Sequence, residues 1–431
     1  MKKQILQYIL KKLSVMILDK YDPEIIGVTG SAGKTSTREA IYTVLSSKFN
    51  VRQNIKNYNN EIGLPLTIIG VESPGRSLSG WFKVFMKAAK LIVSIDKDFP
   101  DILVLEMGVD KPGDMAYLTS FVKPKIGVVT LIGPMHLEQF GTIDKIEKEK
   151  GGLITSLPSS GWAIVNYDDE RCRNIGKNSH SKTLTYGFDA KAMVRAVELF
   201  YSFENEGEQS KTLLGVSFKL SYDGSTVPML LPNVLGTGAI YSALAAAAVG
   251  VAFNMNLVDI SQALRNLNPA KGRMKMIAGM NGTLLVDDTY NGSPQPTLSA
   301  LEVVGKIPLR KGASRVAVLG DMMELGSFTQ EGHRQVGKAV VANKFTKLVV
   351  VGERTKETAL AAEAAGLSKD NIFSFPDSIK AADFVKTILK PGDVALVKGS
   401  QSMRMEKVVK GLMAEPERAN ELLVRQDWKD A

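Results

Sequence analysis

The chain has 431 residues, 44% of them hydrophobic and 23% charged, with a formal net charge of +9. At ~150 residues per domain this makes two or three domains of ordinary globular composition, and it excludes a disordered chain, a collagen-like fibre or a small disulfide scaffold. Its one cysteine, Cys172, excludes an internal disulfide, and three histidines (His136, His180, His333) leave little room for a histidine-rich metal site.

In chain order, residues 1–20 come first. Ile5, Ile9, Leu13 and Met16 or Ile17 recur at helical spacing, which predicts an amphipathic helix, and Lys11 and Lys12 interrupt what would be a signal-peptide core. Strands are predicted at Glu24–Val28, Ile102–Glu106, Ile126–Leu131 and Trp162–Asn166. Between the first two, the apolar and basic stretch Trp81 to Ile95 reads as a buried helix, a partner- or membrane-surface helix, or a loop. A strand-rich stretch covers Leu213–Leu220 and Val227–Leu231, and a helix of small residues runs from about Ala239 to Val249. Strands at Leu284–Asp288, Val316–Leu319, Leu348–Val351, Ile372–Phe375 and Val394–Val397 alternate with helical segments, the pattern of a doubly wound α/β domain. The longest apolar run, Ala243 to Phe253, is short of the ~18 residues of a membrane span and is broken by Gly250. The positive charge suits a solubilising surface, anionic substrates, nucleic acid or an anionic membrane face. No aromatic residues interleave with the basic clusters and no nucleic-acid motif appears, which favours phosphate-bearing small molecules.

The strongest local signal is Gly27-Val-Thr-Gly-Ser-Ala-Gly-Lys-Thr-Ser36. A β-rich run precedes it and a helix-compatible run follows, so Gly30, Ser31, Ala32 and Gly33 can turn their N–H groups toward a phosphate chain. Lys34 would reach the β- and γ-phosphates, and the hydroxyl of Thr35, followed by Ser36, would ligate Mg²⁺. The strict pattern wants Gly where this chain has Val28. Glu106 and His136 each follow a strand-like run, and in a parallel sheet both would gather on the edge that carries the loop. Taken alone, Glu106 is a metal ligand or a helix-cap partner, and His136 a metal ligand or a structural histidine.

Further stretches carry a resemblance. They are Asn57-Tyr-Asn-Asn-Glu-Ile-Gly-Leu-Pro65, Glu106-Met-Gly108 with Pro112-Gly113, Gly133-Pro-Met-His136-Leu-Glu138 and Lys150-Gly151. Then come Gly272-Arg273, Asp287-Asp-Thr-Tyr-Asn-Gly-Ser-Pro294, Leu319-Gly-Asp-Met-Met-Glu-Leu-Gly326 and Lys398-Gly-Ser400. In this order, over roughly residues 22–415, the chain resembles the Mur ligase family, ATP-dependent amide-forming enzymes of peptidoglycan synthesis. The resemblance implies a central P-loop ATPase domain at 21–271 with a mostly parallel sheet, and a Rossmann-like C-terminal domain at 272–431. Their boundary is expected near Lys271-Gly272-Arg273, with the site in a cleft between them.

Roles follow from the resemblance, residue by residue. Lys34 and Thr35 hold ATP phosphates and a first Mg²⁺. Glu106 is a Mg²⁺ ligand, and His136 binds a second Mg²⁺, helped by a carbamylated Lys150. The other reading of Lys150 is an ordinary lysine of the charged run 145–150. Arg273 swings onto the phosphates, Asp288 binds the ribose, and Tyr290 and Asn291 line the nucleotide side. Asn59, Asn60, Asp321, Glu324, Lys398 and Ser400 are expected on the substrates. The chemistry implied is an acyl phosphate made from a carboxylate and ATP, then captured by an amine. The expected substrates are a UDP-N-acetylmuramoyl-tripeptide and D-alanyl-D-alanine, handled in the cytoplasm. A poly-glutamate synthase-like ligase or a non-catalytic nucleotide-binding subunit are the alternatives. Departures stand out. Only about 26 residues precede Gly27, so the family's separate UDP-gripping N-terminal domain is expected to be absent. The family's adenine-side Gly-x-His-x-x-x-Asn appears as Gly236-Thr-Gly-Ala-Ile-Tyr-Ser242, without the His and the Asn.

Overall fold

The computed structural model describes residues 2–54, 58–133, 137–205 and 211–426. The chain divides into two compact units. The first holds Met1–Phe200, Ser217–Leu231 and Thr237–Leu267; the second holds Tyr201–Val216, Pro232–Gly236 and Asn268–Ala431.

Nine strands form the first sheet: β1 Glu24–Thr29, β2 Val51–Gln53, β3 Ile102–Glu106, β4 Ile126–Val129, β5 Trp162–Asn166, β6 Lys182–Gly187, β7 Val194–Asn205, β8 Lys211–Tyr222 and β9 Ser225–Pro232. Their order is β2-β3-β1-β4-β5-β6-β7-β8-β9, and every pairing from β2 to β7 is parallel. The central strands are buried on both faces, which is why they read as unbroken apolar runs rather than alternating ones. Between β8 and β9, Asp223 and Gly224 have φ of 47° and 73°, the backbone of a two-residue hairpin turn matched to strand twist.

Register places the chemistry. Val28 pairs with Glu106 and Thr29 with Val129, so the C-terminal ends of β1, β3 and β4 are level. Four helices matter here: α1 Lys2–Tyr21, α2 Lys34–Leu45, α3 Gly63–Ile69 and α4 Leu78–Val93. The helix α1 packs on α3 and α4, with Leu10, Ile17 and Leu18 in one core with Leu64, Val84 and Leu91. The N-terminal helix expected at 1–20 is therefore part of the first unit's core. The stretch 81–95 is a helix over most of its length, with Val84, Ala88 and Leu91 buried and a second face exposed.

The second sheet has six strands: β10 Lys275–Ala278, β11 Leu284–Asp288, β12 Arg315–Gly320, β13 Lys347–Val351, β14 Ile372–Phe375 and β15 Val394–Lys398. The order is β10-β11-β15-β12-β13-β14, parallel except for the antiparallel β10–β11 edge. The expected α/β class with two sheet-bearing domains is what the chain forms.

The expected 21–271 and 272–431 division differs from the observed one. The second unit begins its long segment at Asn268, and it also claims one end of the β7–β8 hairpin and residues 232–236. The reason is burial. Leu213 and Leu235 lie in the same core as Val286, Leu301 and Leu348, with Tyr201 and Phe203 packed against it. Among the described residues no helix is long and apolar enough to cross a membrane.

Candidate active site

The loop between β1 and α2 is held as an open cradle. Gly30 has φ 148°, and a Cβ there would lie 2.0 Å from Thr130 Oγ1, so no side chain fits. Gly33, at φ 82°, precedes α2 and offers no side-chain cap, which leaves first-turn N–H groups of a twelve-residue helix for an anion. Around it, Thr130 Oγ1 donates to Ala32 O at 2.5 Å. Ser31 Oγ donates to Gly133 O and accepts the Gly133 N–H, both at 2.9 Å. The Lys34 ammonium folds back onto Gly30 O at 2.8 Å. Ser36 follows in the first turn of α2.

Glu106 ends β3 as a buried carboxylate with three partners. Thr35 Oγ1 donates to Oε2 at 2.9 Å and Asn59 Nδ2 to Oε1 at 3.1 Å. Arg38 Nη1 stands 3.6 Å from Oε2, and the Glu106 N–H donates to Asn54 Oδ1 at 2.5 Å. A hydroxyl and a carboxylate oxygen meeting beside a phosphate cradle are hard oxygen donors, the set that suits Mg²⁺. Asn60, by contrast, spends its side chain on the fold: Oδ1 accepts the Ile62 and Gly63 N–H groups at the start of α3. Among the described residues no group of three or more His, Cys, Asp or Glu side chains is arranged to hold a metal. His136 lies outside the described residues.

Lys150 sits on the helix Ile143–Thr155 and is 2% exposed. Burial, then repulsion from Lys34, lowers its amine to about 7, against the partial opposition of Asp110 and Glu149. The exposed-lysine reading of this residue is thus set aside by its burial. A neutral amine can react with CO₂, whereas an ammonium cannot.

In the second unit, Asp288 ends β11 and Lys398 ends β15, and the two are register partners. Lys398 Nζ meets Asp288 Oδ2 at 2.6 Å and donates to Asn291 O at 2.9 Å. Asp288 Oδ1 accepts the Met274 N–H at 3.2 Å. Two residues assigned to different ligands are therefore one buried ion pair. Next to them Asp287 is fully buried, burial pushes its carboxyl up to about 6, and its Oδ2 has no hydrogen-bond partner among the described residues. The Arg273 guanidinium lies over the Tyr290 ring, 4.0 Å from its centroid. Gly272, at φ 68°, accepts the Tyr290 N–H at 3.0 Å and turns the chain there.

Ser400 links the loops expected on the substrates. Its Oγ donates to Gly292 O at 3.1 Å and accepts the Met323 N–H at 2.8 Å, while its N–H donates to Asp321 O at 3.0 Å. The Asp321 carboxylate turns inward and accepts the Thr355 N–H at 2.9 Å. Glu324 takes a left-handed φ of 61° in the same loop. Residues that sequence reasoning passed over brace both sites. Asn54, Arg38 and Thr130 serve the first. In the second, Arg425 donates to Tyr290 O at 3.0 Å and pairs with the buried Glu406 at 3.0 Å. Nothing local in the sequence marks these residues, because their partners are distant along the chain. His333 would also have needed the fold: its Nε2 accepts the Met322 N–H at 3.1 Å, steadying the Leu319–Gly326 loop.

Comparison with known proteins follows the same lines. The model of the Mur ligase middle domain matches residues 28–75 and 86–250, and that of the Mur ligase glutamate ligase domain matches residues 272–401. The chain is 31% identical over 392 residues to the UDP-N-acetylmuramoyl-tripeptide–D-alanyl-D-alanine ligase of Synechocystis sp., covering 91% of this chain and 75% of the relative. It is 28% identical over 410 residues to the ligase of the same name from Bacillus subtilis, covering 94% and 79%. Its fold superposes on the MurF ligase from Thermotoga maritima in complex with ADP with a TM-score of 0.74 at 26% identity, covering 96% of this chain and 84% of that one. With both domain models matched in order and the fold shared, this chain belongs to the Mur ligase family of ATP-dependent ligases.

Proposed function

We propose that the chain adds D-alanyl-D-alanine to a UDP-N-acetylmuramoyl-tripeptide, with ATP converted to ADP and phosphate. The substrates are those named for its relatives. The observation that carries the chemistry is the buried Glu106 carboxylate bonded to Thr35 and Asn59 beside the phosphate cradle, with the buried Lys150 amine repelled by Lys34. Thr35 and Glu106 would hold one Mg²⁺, and His136 with a carbamylated Lys150 a second; bound there, the ions would supply charge neutralisation to the triphosphate. The cradle N–H groups and Lys34 orient the γ-phosphate. A substrate carboxylate oxygen bonds to the γ-phosphorus and the bond to the ADP oxygen breaks. The amine nitrogen then bonds to the acyl carbon, phosphate leaves with its oxygen, and the amine proton passes to solvent. Arg273, Asp288, Tyr290 and Asn291 are assigned to the nucleotide, and Asn59, Asp321, Glu324, Lys398 and Ser400 to holding the substrates or their loops. These substrates assign the reaction to the cytoplasm.

The test is direct. Purified protein with ATP and Mg²⁺ releases phosphate only when both the muramoyl-tripeptide nucleotide and D-alanyl-D-alanine are present, and mass spectrometry finds the amide. Phosphate release with another acid and amine, and none with this pair, overturns the substrate assignment while leaving the ligase chemistry.

A further inference from the structure

The helix α4 has more apolar surface than its core contact uses. Its buried face is Val84, Ala88 and Leu91. At 3.6 residues per turn, Leu78, Phe82, Met86 and Val93 fall within about 80° of arc on another side, and Lys83, Lys87 and Lys90 fill about 60° beside them. The apolar strip is open: Leu78 is 86% exposed, Phe82 65%, Met86 56% and Val93 86%. The helix contains no acidic residue. Lys87 donates to Gly70 O at 2.8 Å, whereas Lys83 and Lys90 are exposed and have no side-chain partner among the described residues. The neighbouring α1 repeats the theme, with Ile5, Tyr8, Ile9 and Met16 exposed and Lys12 between them. The two helices are locked together, since Lys20 Nζ donates to Leu91 O and Ile92 O, each at 2.9 Å, at the end of α4.

Soluble surfaces rarely gather large apolar side chains this way without a use for them. Here the charge says which use. A lysine row flanking an apolar strip, on a helix about 24 Å long that is too polar to span a bilayer, fits the boundary between anionic headgroups and acyl chains. A protein partner would be expected to answer the lysines with acids from a defined shape; a lipid surface needs only charge and depth. Leu78, Phe82 and Lys83, like α1, lie outside the matched family stretches, which begin at residue 28 and skip 76–85, whereas Met86, Lys90 and Val93 lie inside them.

We infer that α4, supported by α1, is a docking face for an anionic phospholipid bilayer, lying in the interface with Leu78, Phe82, Met86 and Val93 inserted and Lys83 and Lys90 on the headgroups. The inference stands apart from the ligase reaction.

Sedimentation of the whole chain with vesicles tests it. Vesicles of phosphatidylcholine with about 30% phosphatidylglycerol bind at least about ten-fold more protein than pure phosphatidylcholine, and 0.5 M salt releases most of it. The double variant Phe82→Ser/Met86→Ser lowers vesicle binding about ten-fold or more, with the thermal transition and the ligase reaction unchanged. Lys83→Gln/Lys90→Gln lowers it roughly five-fold per lysine and flattens the salt dependence. Equal binding to both vesicle types, no binding at low salt, or wild-type binding by both variants overturns the inference. So does a dimer in sedimentation velocity that Phe82→Ser/Met86→Ser dissociates while vesicles stay unbound, for then a second copy covers the face.

Discussion

Lys150 shows how one residue's surroundings decide its chemistry. Its buried amine, lowered to about 7, means that the unfolded chain takes up a proton that the folded chain refuses between about pH 7 and the ordinary lysine value of 10.5. Stability should therefore rise with pH across that window. Lys150→Met should flatten this rise and add a few kcal/mol below pH 7, read by urea denaturation at several pH values. The same substitution removes the amine that we propose carries a carbamate. Turnover should fall about a hundred-fold or more, and short carboxylates should restore part of it in Lys150→Ala, measured as phosphate release. Full activity without rescue would make the buried amine a structural accident. The sequence carried Lys150, Thr35 and Glu106 because a motif places each beside glycines or a strand end. It did not carry Arg38, Asn54 or Arg425, whose partners lie 68, 52 and 135 residues away for Glu106 and Tyr290.

At the scale of the element, the phosphate loop depends on clearance more than on attraction. A Cβ at Gly30 would meet Thr130 Oγ1 at 2.0 Å, and the φ of 148° is one that other residues rarely adopt. Gly30→Ala should displace the loop from Thr130 and cost ATP affinity about ten-fold or more, read by calorimetry, while the transition temperature falls by only a few degrees. Strand prediction worked where strands are buried on both faces and so read as solid apolar runs, as in β1, β3, β5 and β15. It missed β2, which is three residues long, and β6, whose Lys182-Thr-Leu-Thr-Tyr-Gly187 alternates with small polar residues. It also missed β10, an antiparallel edge directly after the Gly272 turn.

For the whole molecule, the chain passes between its two units five times, at residues 200, 216, 231, 236 and 267. The linear boundary near 271 that sequence suggests marks only the last of these crossings. The earlier ones are invisible locally, because Leu213 and Leu235 look like ordinary strand and loop residues until their core is known. A fragment comprising 272–431 should consequently expose the places vacated by those side chains. It should aggregate or melt at least about 10 °C below the full chain, whereas adding back 201–236 as a peptide should raise it. A fragment that folds with full-chain stability would show that the hairpin end is an accessory.

The tie from Arg425 to the Thr289–Tyr290 turn has a consequence for how the protein comes to life. Arg425 reaches back to Tyr290 and is held by buried Glu406. A chain being synthesised must therefore extend past residue 425 before that turn acquires its brace, so the Thr289–Tyr290 turn is set more than a hundred residues after it is made.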